Sequence, residues 1–304
     1  MTDKNMDLYL TTRAGVRAVV EAHGLSAKKK LGQHFLVDGH VLDKILNGAQ
    51  LSADDVVLEI GPGIGGLTQG LLSRGCQVVA VELDKQLVPI LARQFEKEKQ
   101  DGRFTLVQGD VLKVDLAHIV APYVATGKTI KVIANLPYYI TTPIILYLLE
   151  KGLPIQSITV MIQKEVAKRM AAKPGTKDYG SLSLAVQYHA HVDIIAYVPV
   201  NSFMPRPGVD SAVAHLTLLD APPVTADPDV LFKIIHGAFN HRRKTLVNTL
   251  VSAGFGTDKD ILAGVVASCG LDPQVRGEAL SIHQFALLAE KFAEETGPGA
   301  LATE

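Results

Sequence analysis

The sequence predicts an α/β protein, a doubly wound and mostly parallel sheet followed by a small all-α C-terminal domain. From residue 56 onward, short β-branched runs without polar alternation recur between amphipathic stretches, as strands buried on both faces require. Short turns join these strand and helix units, which favours parallel pairing through crossover helices. Beyond the Pro- and Asp-rich stretch 220–228, the pattern has helical periods and no convincing strand.

In chain order, residues 11–23 place Val16, Val19 and Val20 at helical spacing and stop before Gly24, so they read as a short accessory helix. Segment 28–38 is loop-like, and the next helix turns Val41, Leu42, Ile45 and Leu46 inward. Strand one is 56–60, followed by the glycine turn 61–66 and a helix burying Leu67, Leu71 and Leu72. Strand two, 78–81, ends in Glu82, and a helix spans 87–95. Strand three, 104–107, leads to Asp110, and strand four, 131–134, leads to Asn135. Pro143 suits a first helical turn, where its missing N–H loses no bond, so a helix starts at Thr142. Strand five is 158–162, a helix covers 165–170, and the polar, Gly/Pro-bearing loop 173–180 reads as a lid or recognition loop. Strands at 194–198 and 212–218 close the sheet. Helices follow at 230–239, through Leu246 and Leu250, and after a capping box of Ser281 and Gln284. The expected division is an N-terminal helical extension 1–24, a sheet domain 25–220, a helical domain 221–294 and a flexible tail 295–304.

Bulk properties narrow the class. With 304 residues, 47% of them hydrophobic, the chain can bury a large core. No apolar run approaches the roughly 20 residues of a spanning helix, and the first residues lack the apolar segment of a signal peptide. Cys76 and Cys269 form no Cys-x-x-Cys spacing, so neither a disulfide framework nor a zinc site is supported, and no metal is expected. A reducing, cytoplasmic setting follows. A net charge of −1 excludes a polycation, so nucleic-acid binding has to rely on local patches. Lys28, Lys29 and Lys30 form one such patch, and Arg242, Arg243 and Lys244, flanked by His236 and His241, form another; taken singly, a solvated face is the better reading of either run.

Gly61, Gly63 and Gly66 satisfy Gly-x-Gly-x-x-Gly, with Glu82 about 20 residues further on, which is also the dinucleotide fingerprint. The pattern requires a nucleotide-like ligand without choosing one. Glu82 can accept the hydroxyl protons of a ribose. Glu59 discriminates, because a carboxylate just before the turn opposes a pyrophosphate and suits an ammonium and a sulfonium, the charges of S-adenosylmethionine. Asp110 can accept from an adenine amino group; a lone Asp there also serves as a cap, but three acids stand at three consecutive strand ends.

Asn135, Leu136, Pro137 and Tyr138 then acquire a chemistry beyond that of an ordinary turn. The lone pair of adenine N6 is delocalised into the ring. If the Asn135 side-chain oxygen and the Leu136 carbonyl each accept an N6 proton, they favour a pyramidal nitrogen with an available lone pair. Pro137 stiffens the backbone and Tyr138 can stack on the base. The methylated ammonium sheds its proton readily, so positioning and electrostatics carry the reaction without a strong base. The base has to be unstacked, which RNA loops favour. Phe203 suits the opposite wall or a core position equally.

These residues sit in motifs that resemble the ribosomal RNA adenine N6-dimethyltransferases. They are Gly-Gln-His-Phe-Leu from 32, Glu-Ile-Gly-Pro-Gly from 59, Glu-Leu-Asp from 82, Asn-Leu-Pro-Tyr from 135, Gln-Lys-Glu-Val-Ala from 163, Pro-x-Pro-x-Val-Asp-Ser-Ala-Val from 205 and Phe-Asn-His-Arg-Arg-Lys-Thr-Leu from 239. The resemblance spans 25–292 and is strongest to the small-subunit branch, which dimethylates two adjacent adenosines in the 3′-terminal hairpin loop of 16S rRNA. It implies a Rossmann-like class I methyltransferase fold with a seven-stranded, mostly parallel sheet, and makes 221–294 an RNA-binding domain. It also implies S-adenosylmethionine contacts at His34, Leu36, Gly61, Glu82, Asp110 and Asn135, to which the turn adds Glu59 and Gly63. The implied partner is 16S rRNA within the immature small subunit, met by a monomer. The family usually has Asn in place of His34 and Lys in place of Gly208. An enzyme of 23S rRNA conferring macrolide resistance, an assembly factor acting chiefly by binding, and more remotely a dehydrogenase are the competing readings.

Overall fold

In a computed structural model, which describes residues 10–25, 33–241, 243–256 and 258–296, the β-branched runs form one seven-stranded sheet. Its strands are β2 (Asp55–Ile60), β3 (Gln77–Glu82), β4 (Phe104–Gln108), β5 (Thr129–Asn135), β6 (Ile155–Gln163), β7 (Ala190–Val198) and β9 (Ser211–Leu218). The two remaining strands, β1 (Phe35–Leu36) and β8 (Phe203–Met204), pair with each other antiparallel. The order across the large sheet is β4-β3-β2-β5-β6-β9-β7. β2 runs parallel to both β3 and β5, β4 and β6 extend the parallel set, and β9 is antiparallel to β6. Every residue of β2 is buried, which explains its unbroken apolar reading.

The chain leaves β2 toward β3 on one side and later returns to its other side with β5. That reversal makes β2 the switch point of the sheet, and the carboxyl ends of β2 to β5 share one edge. At the opposite end, buried Lys131 pairs with buried Asp55 at 2.9 Å and donates to the Gln50 carbonyl at 2.6 Å, so both charges are partnered.

Helices α2 (Gly39–Gly48), α3 (Gly66–Ser73), α4 (Val88–Gln94), α5 (Glu96–Gln100), α6 (Leu116–Val124) and α7 (Thr141–Glu150) connect the first five large-sheet strands or precede them. α6 was absent from the sequence expectation because Pro122 interrupts its pattern. The first helix, α1 (Arg13–Ala22), is no accessory. Val16 is fully buried in the core with Leu46 and Leu71, Leu10 joins it, and the Leu10 N–H donates to Gln69 Oε1 at 3.0 Å.

The chain divides into two compact units, one of residues 1–167 and 192–218, the other of residues 168–191 and 219–304. The excursion 168–191 therefore departs from the expected 25–220 domain. It holds the end of α8 (Lys164–Met170) and α9 (Ser181–Gln187), and its Tyr179, Leu184 and Tyr188 belong to the apolar cluster of the C-terminal helices. Those helices are α10 (Pro228–Phe239), α11 (Leu246–Ser252), α12 (Lys259–Ser268) and α13 (Ile282–Thr296). Ser281 and Gln284 form the expected capping box at α13. Residues 297–304 of the expected tail lie outside the described residues. Among the described residues, no helix is long and apolar enough to cross a membrane.

The loop 173–180 is structural, contrary to its reading as a lid. Gly175 donates to the Glu278 carbonyl at 2.8 Å, and buried Tyr179 donates its hydroxyl to the Leu280 carbonyl at 2.8 Å while its ring meets Phe239 edge-on. Replacing Tyr179 by Phe strands that buried carbonyl, and the expected loss is about 1–3 kcal/mol of unfolding free energy in urea titration. A midpoint equal to that of the parent would show the loop to be dispensable for stability.

Candidate active site

The edge formed by the carboxyl ends of β2 to β5 opens into a pocket within the sheet unit. After β2 the chain turns through Gly61 at φ 67° and Gly63 at φ 61°, conformations that side chains with a Cβ rarely adopt. A Cβ on Gly63 would also press on the Phe35 ring at 3.3 Å. Glu82 holds the turn closed, its Oε2 accepting from the Gly63 N–H at 3.1 Å and its Oε1 from the Asp84 N–H at 2.7 Å. Both oxygens keep lone pairs for further donors. Burial pushes the Glu82 carboxyl upward, opposed by those backbone hydrogen bonds.

Glu59 lies beneath the turn at 1% exposure. Thr68 Oγ1 donates to its Oε2 at 2.6 Å, while its Oε1 is buried without a hydrogen-bond partner. Burial, with the nearby Glu82 charge adding to it, pushes the Glu59 carboxyl up to about 8. A buried acceptor lacking a donor fits a cationic N–H group such as the ammonium of S-adenosylmethionine. Asp110, past the end of β4, caps its own turn, its Oδ1 accepting from the Leu112 N–H at 3.1 Å, and it lines the pocket.

Asn135 ends β5, and its Nδ2 donates to the His34 carbonyl at 2.9 Å. Because a carbonyl only accepts, this contact fixes the amide with Oδ1 directed elsewhere and open to a donor. The His34 ring contacts the Pro205 carbonyl through Nδ1 at 2.8 Å, so Nδ1 carries the proton by the same reasoning. His34 thereby joins the segment of β1, which pairs Leu36 with Phe203, to the end of β5. Leu136 N–H donates to Met161, and Thr141 Oγ1 donates to the Pro137 carbonyl at 2.9 Å. The Tyr138 hydroxyl shares a 2.6 Å hydrogen bond with Ser211, its ring lies 5.8 Å from that of His34, and burial pushes its phenol upward. Phe203 is both core and wall: it is 1% exposed and lines the pocket.

The pocket thus unites the acids and glycines of the first three strand ends with Asn135, Leu136, Pro137, Tyr138, Phe203, His34 and Leu36. Leu10, Leu83, Val111 and Tyr139 also line it and were not expected. Leu83 and Val111 each follow a strand-end acid, a regularity that was readable; Leu10 carried no comparable signal. Among the described residues, no group of His, Cys, Asp or Glu side chains is placed to hold a metal ion.

A seven-stranded sheet of this order, with a reversed strand beside β6 and a glycine turn after its central strand, is the Rossmann-like class I methyltransferase fold. The family described as ribosomal RNA adenine dimethylase matches residues 24–294. The chain belongs to that family and is an S-adenosylmethionine-dependent rRNA methyltransferase. A protein of Lachnoclostridium phytofermentans named ribosomal RNA small subunit methyltransferase A is 52% identical over 270 residues, covering 88% of this chain and 92% of the relative. The protein of that name from Alkaliphilus oremlandii is 44% identical over 280 residues, covering 92% and 96%. Among solved structures, a dimethyladenosine transferase from Plasmodium falciparum superposes with a TM-score of 0.72 at 24% identity, covering 86% of this chain and 98% of that one. The 23S rRNA methyltransferase ErmE gives 0.62 at 23% identity, covering 85% and 99%. At these identities the likeness is one of fold.

Glu59 makes stability depend on pH with a definite sign. The folded chain holds its proton to about pH 8, the unfolded chain only to about 4.5, so this group's stabilisation is complete below the lower value and is lost as pH rises toward 8. Glu59→Gln removes the dependence. Without ligand, the variant is expected to be more stable than the parent near pH 7, by on the order of 3 kcal/mol, and equal to it near pH 4.5. Parallel urea curves for the two proteins across that range would count against a buried, proton-holding Glu59.

Proposed function

We propose that the chain transfers methyl groups to N6 of two adjacent adenosines in the 3′-terminal hairpin loop of 16S rRNA, giving N6,N6-dimethyladenosine during small-subunit biogenesis. The observation that carries this reading is the Asn135 amide, whose nitrogen is committed to the His34 carbonyl and whose oxygen is therefore left to accept from an amine. The Leu136 carbonyl is the second acceptor for N6, Pro137 holds that backbone in place, and Tyr138 and Phe203 flank the base. S-adenosylmethionine, when bound, supplies an electrophilic methyl group on sulfur. Glu59 receives its ammonium, Glu82 its ribose hydroxyls and Asp110 its adenine amino group, with His34, Leu36, Gly61 and Gly63 completing the cradle. The names of the relatives at 52% and 44% identity support the small subunit as substrate over the large one.

The partner in this reading is 16S rRNA of the immature subunit, met by a cytoplasmic monomer, with the helical unit serving as an RNA-binding region. The basic runs 28–30 and 242–244 neutralise phosphates; residues 28–30 and Arg242 lie outside the described residues, and Arg243 and Lys244 are exposed. Neutralising both runs is expected to flatten the salt dependence of RNA binding and leave cofactor affinity unchanged. An unaltered salt slope removes these residues from the interface.

The direct test incubates under-methylated small subunits with methyl-labelled cofactor and maps the modified nucleosides. Label is expected at adenine N6, and its absence there overturns the proposal. Asn135→Ala is expected to lower kcat by about 10²-fold, the scale seen when one preorganised polar group is lost. Cofactor affinity is expected to rise as pH goes from 6 to 8, since binding the cation requires Glu59 to release its proton. Calorimetry should show that release in the parent and not in Glu59→Gln.

A further inference from the structure

The Ile140 N–H closes a turn onto the Pro137 carbonyl at 3.2 Å, which places Tyr138 and Tyr139 at its two central positions. Their rings meet different fates. Tyr138 is partly buried and tied to Ser211, whereas Tyr139 is 57% exposed and still lines the pocket. Of the other apolar lining side chains at this end, Leu136, Ile144, Met161 and Phe203 are buried and Ile140 is half-buried. The second large exposed apolar side chain of the lining, Leu83, follows Glu82 at the acid end. Tyr139 is therefore the exposed aromatic at the amide end, where the rim meets solvent.

A base that enters this pocket leaves its neighbour on the strand with one face unstacked. In a pair of adjacent adenosines that neighbour is a purine held at the mouth by one backbone linkage. An aromatic side chain at the rim restores the lost stack without reading sequence, because every base has a π-face. We infer that Tyr139 is the stacking platform for the nucleobase next to the one being methylated, and so fixes which adenosine of the pair occupies the pocket. The inference rests on the proposed reaction at adjacent adenosines. It makes Tyr139 a positioning residue that touches RNA but neither the cofactor nor the target amine.

The test uses the full chain, under-methylated small subunits and labelled S-adenosylmethionine. Tyr139→Ala is expected to raise KM for subunits about tenfold, the factor a single base stack supplies, with kcat and cofactor affinity within about twofold of the parent. Tyr139→Phe is expected to keep the parent values. Subunits in which the neighbouring adenosine is replaced by uridine, a weaker stacker, should raise KM for the parent and add little to the defect of Tyr139→Ala. Additive defects, or a KM unchanged in Tyr139→Ala while the parent methylates N6, overturn the stacking role and leave the proposed reaction standing. Failure of the parent itself to methylate N6 overturns both.

Discussion

The burial of β2 between β3 and β5 is the constraint on which the pocket depends. A strand paired on both edges and covered on both faces cannot present polar groups along its length, so its chemistry is confined to its carboxyl end. Because the neighbouring strands run parallel to it, their last residues arrive at the same edge: Glu59 beside Ile60, Glu82 on β3 and Asn135 on β5. Three separate sequence motifs become one surface through pairing register alone.

That surface is electrostatically unfinished. Glu59 and Glu82 are both buried, burial raises the proton affinity of each, and one oxygen of Glu59 has no donor. Thr68 and the turn amides satisfy the remainder. In a protein interior such a deficit is resolved by a proton or by a cation, and a cationic methyl donor can replace the proton. The buried carboxyl that makes the fold sensitive to pH is thus also the group that, under the proposed function, meets the ligand's positive charge.

Much of this was legible in the sequence, for identifiable reasons. Strands buried on both faces leave unbroken β-branched runs, and glycines at positive φ leave a spaced pattern, so the sheet, the turn and the acids at strand ends could be read directly. What could not be read were features set by tertiary contact. Two-residue strands such as β1 and β8 have no periodicity, and α9 is short and Ser-bearing. The 173–180 loop has the composition of a surface lid, yet Tyr179 anchors it in a helical core. Val16 gave α1 its helical pattern but no hint that the helix belongs to the main core. Phe203 is core and also lines the pocket, a pairing that spacing alone could not show.

The contact between Asn135 and the His34 carbonyl gives the pocket a polarity. With one amide N–H given to the His34 carbonyl, the side chain is fixed with Oδ1 as an acceptor and cannot flip without leaving that carbonyl unsatisfied. Under the proposed reaction, a purine with an amino group at position 6 meets complementary partners, whereas one with a keto oxygen, as in guanine or hypoxanthine, sets acceptor against acceptor. Under that reaction, discrimination between adenosine and its deaminated form follows from the orientation of one side chain, held by a backbone atom rather than by any residue that mutation of a side chain could remove.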